Sequence, residues 1–89
     1  MTERLYFVVR TDIGIGRAVA QCLHALDEWG AAHGPQRGTV IVYGVKNEET
    51  LLRLLPSTGK TALFREPDLE NQATAFATDQ GPFKAPLLR

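Results

Sequence analysis

Leu5 to Trp29 reads LYFVVRTDIGIGRAVAQCLHALDEW, and this stretch decides the fold. It opens with a continuous run of aromatic, β-branched and leucine side chains set between Arg4 and Arg10. Such a run predicts a strand covered on both faces, hence central in a sheet. Thr11-Asp12-Ile13-Gly14-Ile15-Gly16 then forms a turn with two glycines. From residue 17 to 29 the pattern becomes helical. At about 100° per residue Val19, Cys22, Leu23, Leu26 and Trp29 share one face, the expected core face. Arg17, Gln21, His24 and Glu28 form a polar stripe opposite. Gly30 and then Gly34-Pro35 are the stop signals.

Downstream the same alternation continues. Thr39 to Val45 (TVIVYGV) is a second β-branched strand. Asn47 is suited to cap a helix, Glu48 and Glu49 favour its first turn through the dipole, and Pro56 stops it. Thr61 to Arg65 is a short third strand, 66–72 a polar acidic loop, and Ala73 to Thr78 a fourth strand. The tail GPFKAPLLR has little regular pattern. Strand, helix, strand, helix, strand, strand predicts an α/β domain with a partly parallel sheet. Ligands of such sheets lie beyond the carboxyl ends of the parallel strands, which directs attention to the Gly14/Gly16 loop.

Composition narrows the function classes. Eighty-nine residues make one domain, 1–89, with a small core. Ten basic and ten acidic residues give a net charge of zero, which excludes a strongly basic nucleic-acid module but not a local basic face. The acids gather at Asp27–Glu28, Glu48–Glu49 and 66–70, so such a face is feasible. One cysteine, Cys22, excludes an intramolecular disulfide and a cysteine-based zinc site; on the apolar helix face it reads as a small core residue. Without a long apolar run or a signal-peptide core, the chain is expected to be cytoplasmic and not to engage a membrane.

Each candidate motif has a plain structural reading beside a functional one. Gly14-Ile15-Gly16 before a helix suits an anion, because glycines allow close approach and the helix start offers free N–H groups. It fits neither a dinucleotide fingerprint, since Val19 stands where a third small residue is needed, nor a Gly-Lys-Ser/Thr phosphate loop. The plain reading is a βα turn that needs positive φ. The Arg17–Gln21–His24–Glu28 stripe suits a polyanion or a scissile bond, or is simply a solvated helix face. Glu66, Asp68 and Glu70 suit a general base or a divalent cation, without the spacing of an EF-hand, or are a solvated loop turned by Pro67. Ser57, the one serine, has no neighbouring histidine, so a Ser-His-Asp triad fails on inventory. Phe7, Trp29 and Phe76 read as core.

Together these pieces resemble the type II (archaeal and eukaryotic type) peptidyl-tRNA hydrolases. In that family a strand ends in Arg-x-Asp-Leu, a glycine-rich loop follows, and the next helix carries Lys-x-Ala-Ala-Gln-x-x-His-Ala. Arg10, Asp12, Gln21, His24 and Ala25 match residue for residue. GTVIVYGVKNEETLLRLL and FREPDLENQATAFA resemble the second strand and helix and the strand–loop–strand that closes the family's site, so the likeness runs from about Leu5 to Pro82. It implies a mixed four-stranded sheet with helices packed on it, often as a homodimer. The implied activity is hydrolysis of the ester between a peptide and the 3′ end of tRNA, with tRNA as partner and neither metal nor organic cofactor.

Departures from the family pattern stand out. The family lysine falls on Arg17, the loop before it is about two residues shorter, and the Asp-Ala-Gly motif is Glu66-Pro67-Asp68. Thr74 corresponds to the family threonine, and the tail lacks most of a final helix. The resemblance and the residue chemistry together nominate Asp12, Arg17, Glu66 and Thr74 as catalytic. They nominate Arg10, Gly14, Gly16, Gln21, His24 and Asn71 as substrate-binding, with Arg37, Arg53 and Lys60 as further phosphate contacts. The alternatives are a non-catalytic module that keeps the fold and binds tRNA, another RNA or a protein, and a nucleotide-binding enzyme using the Gly14/Gly16 turn.

Overall fold

The computed structural model describes residues 3–36 and 38–88; Arg37 lies outside them. The chain forms β1 (Arg4–Arg10), α1 (Ile15–His33), β2 (Thr39–Val45), α2 (Glu48–Leu54), β3 (Thr61–Glu66), a 3₁₀ turn (Pro67–Leu69) and β4 (Gln72–Thr78). The four strands make one mixed sheet in the order β2-β1-β4-β3. β1 runs parallel to β2 and antiparallel to β4, and β4 is antiparallel to β3. The carboxyl ends of β1, β2 and β3 therefore share one edge of the sheet, where β4 begins.

The apolar run of β1 behaves as its composition dictates. Leu5, Phe7 and Val9 enter a core with α1, while Tyr6 and Val8 enter a second core with Leu51 of α2 and Phe76 of β4. All five are buried. α2 starts where expected: Asn47 Oδ1 accepts the Thr50 N–H at 2.8 Å. The tail is more regular than its sequence suggests. Leu88 N–H donates to Val42 O and Gly44 N–H to Pro86 O, so residues 86–88 lie along the outer edge of β2.

α1 differs from expectation in length and in rotation. It runs through Gly30 and ends at Gly34, whose φ of 88° a glycine adopts without strain. Its buried residues are Ala18, Gln21, Ala25 and Trp29, so of the expected core face Trp29 alone is buried. Leu23 is 61% exposed, Val19 49% and Leu26 36%; Cys22 is only partly buried. Small Ala18 and Ala25 let the helix lie close against β3, β4 and β1, and Gln21 is admitted because it finds a partner. The bulkier stripe Ile15, Val19, Leu23 and Leu26 is left on the flank that faces past β2. No helix among the described residues is long and apolar enough to cross a membrane.

Candidate functional site

The site is built at the shared edge. β1 ends at Arg10, and Asp12 lies two residues on. The Arg10 guanidinium meets the Asp12 carboxylate as a fork, Nε to Oδ1 and Nη2 to Oδ2, both at 2.9 Å. Its remaining nitrogen, Nη1, donates to Gln72 Oε1 at 2.9 Å and to Ala73 O at 3.3 Å. Arg10 is only 8% exposed, and a buried cation needs this full set of acceptors. The hydrogen bonds from Arg10 hold the Asp12 carboxyl below the usual carboxylate range, and Asp12 raises Arg10 in turn. Asp12 is thus ionised with both oxygens engaged.

A second polar pair lies under α1. Thr74 Oγ1 donates to Gln21 Oε1 at 2.7 Å, with both residues buried. A register shift produces this contact. Phe64 pairs with Ala75 but Arg65 pairs with Ala73, so Thr74 is an extra residue bulged out of β4. Without the bulge, alternation would place Thr74 on the face of Phe76, away from α1. Beside the bulge the Ala73 N–H donates to Glu48 Oε2 at 2.6 Å, which ties α2 to the same corner.

Gly14 sits before α1 with φ 88° and ψ 152°, a region essentially confined to glycine. Gly16, in the first helical turn, has open space where a Cβ would stand and needs no glycine on conformational grounds. The first intrahelical bond runs from Ala18 N to Gly14 O, and no side chain caps the helix. The N–H groups of Ile15, Gly16 and Arg17 therefore precede the helix's own hydrogen bonds. Arg17 and His24 are exposed, and the His24 ring stacks on Phe64 with centroids 4.7 Å apart. Among the described residues the ion pairs are Arg10–Asp12 and Arg53–Glu49, and Arg17 and Glu66 enter neither.

The acidic loop is tighter than a solvated coil. Asn71 N–H donates to Glu66 O at 3.0 Å, and Glu70 and Asn71 both take positive φ. Glu66 is partly buried, whereas Asp68, Glu70 and Asn71 are exposed. No three His, Cys, Asp or Glu side chains among the described residues are grouped to hold a metal ion.

Of the nominated residues, Arg10 with Asp12 and Gln21 with Thr74 are joined directly, and Glu66 and Asn71 close one turn. Arg17 and His24 stand on the exposed side of α1. Lys60 is elsewhere: its carbonyl accepts from Thr78 at the far end of β4. Gln72 and Glu48 also belong to this corner. The pattern signals of Gln72 and Glu48 are those of a loop polar residue and a helix-start acid. No known family model matches the chain, and no curated protein matches it.

Proposed function

We propose that the protein hydrolyses the ester joining a peptide, or an N-blocked amino acid, to the 3′ ribose of tRNA. The observation that carries this reading is the Thr74–Gln21 hydrogen bond. It unites the helix motif and the later strand, the two separate parts of the sequence on which the likeness to peptidyl-tRNA hydrolases rests. The position of Arg17 supports it as well. A cation in the first turn opposes the helix dipole by about 0.3–1 kcal/mol, a local cost that an anionic ligand offsets.

In this reaction water adds to the acyl carbon and the carbonyl oxygen becomes an oxyanion. Arg17, permanently charged, and the free N–H groups of the first helical turn stabilise that oxygen. Asp12 is engaged by Arg10 and positions the corner. The acceptor for the water's proton is Glu66, whose protonated carboxyl then supplies the proton to the departing ribose oxygen. His24 and Asn71, both exposed, contact the terminal nucleotide, while the buried Gln21–Thr74 pair holds α1 against β4 beneath them. Arg17→Ala and Glu66→Gln are each expected to lower turnover of N-blocked aminoacyl-tRNA by about a hundredfold or more while leaving the fold intact. Unchanged turnover in both variants overturns the mechanism.

The mutual neutralisation of Arg10 and Asp12 favours a second reading, a module that binds tRNA without cleaving it. Its signature is tRNA binding that weakens steeply with salt, with no turnover by folded protein.

A further inference from the structure

A cleft of about 670 Å³ opens on the α2 side of the sheet, where the carboxyl end of β2 meets the tail. Its charged lining residues are Lys46, Arg53 and Lys84, all cations. Arg53 shares its charge with the exposed Glu49, leaving the two lysines uncompensated among the described ion pairs. The apolar part of the lining is aliphatic, including Val45, Leu54 and Leu87, with no aromatic ring. Two hydroxyls also border it, but both donate internally: Thr11 Oγ1 to Val45 O at 3.1 Å and Thr50 Oγ1 to Asn47 Oδ1 at 2.9 Å.

From these features we propose that the cleft binds an aliphatic chain ending in an anionic head group, a carboxylate or a phosphate. The volume lies within the usual range for small-molecule sites of about 300–1,000 Å³. An aliphatic lining with no stacking ring argues against a nucleobase. Lysines at the rim give a compact anion its countercharge, and their stems add apolar cover over the chain. The molecule supplies its own comparison: the groove between α1 and β2, lined by Phe7, Val19, Leu23, Val40 and Leu88, is apolar throughout and has no lysine or arginine. Countercharge is what the cleft offers and the groove lacks, so a negative head group directs a chain to the cleft.

The test uses the full chain and ¹⁵N NMR titration with decanoate and decyl phosphate below their micelle concentrations, beside methyl decanoate and inorganic phosphate. The expected result is saturable shifts at Val45, Leu54 and Leu87 with one or both charged chains, and at least tenfold weaker binding by Lys46→Glu/Lys84→Glu. Both lysines are exposed, so the variant should fold; its amide spectrum checks this. Relative affinity of the two charged chains identifies the head group. Equal binding of methyl decanoate, inorganic phosphate binding as tightly as the chains, shifts centred on Val19, Leu23 and Val40, or undiminished binding by the folded variant each overturns the proposal. Chain binding is read with no tRNA present and ester turnover with no chain present, so the two proposals fail separately.

Discussion

Arg10 and Asp12 form a two-pronged ion pair at the end of the central strand, with one partner buried and the other facing solvent. Because the Asp12 carboxyl titrates below its ordinary range, its contribution is fully present above the unfolded carboxylate pKa of about 4 and is lost as pH falls through the lower folded value. Asp12→Asn should cost about 1–2 kcal/mol at neutral pH, a figure already reduced for the partial exposure of Asp12. The loss of urea stability between about pH 5 and pH 2 should be shallower in the variant than in wild type.

The Thr74–Gln21 pair predicts a double-mutant cycle with strong coupling. Thr74→Val or Gln21→Leu alone strands a buried polar partner and should cost about 1–3 kcal/mol. The double variant should cost less than the two singles added, by about 0.5–2 kcal/mol, in chemical denaturation. Strict additivity would show that the two groups do not bond.

The rotation of α1 has an equally direct consequence. Leu23→Gln should change stability by less than about 0.5 kcal/mol, since the side chain is largely in solvent. Ala25→Leu should cost about 1–3 kcal/mol, because Ala25 is fully buried against the sheet and a larger side chain overpacks it. Thermal denaturation of the two variants reads this off; the reverse ranking would restore the orientation inferred from the hydrophobic pattern.

Burial pushes the Cys22 thiol up to about 11. The thiolate is the reactive form, so modification by a disulfide reagent should be slow at pH 8 and should accelerate toward pH 11. Stopped-flow or manual kinetics with the native protein, compared with the denatured chain, measures the protection.

Much of this architecture is legible in the residues themselves. The Leu5–Val9 run places β1 at the centre, Asn47 caps α2 as its side-chain chemistry requires, and Gly14 supplies a backbone conformation closed to other residues. The α1 face is not legible, because a hydrophobic pattern weights Val19, Leu23 and Leu26 above Ala18 and Ala25, whereas close packing on the sheet selects the small ones. Gln21 looks like surface until the hydroxyl that satisfies it is known. That hydroxyl arrives through a bulge at Thr74, and nothing in QATAFAT distinguishes a bulged strand from a regular one. The Glu48–Ala73 bond joins residues 25 apart and has no local signal at all. At the site, Arg10, Asp12, Gln21 and Thr74 stand out by resemblance, but which of them pair is a property of the folded sheet.

The esterase activity is tested most simply by hydrolysis of N-blocked aminoacyl-tRNA by purified protein in the presence of EDTA, with Arg17→Ala measured in parallel. Turnover by the wild type, lowered about a hundredfold or more in the variant, is the expected result. A folded wild type with no turnover, or a variant as fast as wild type, would contradict it.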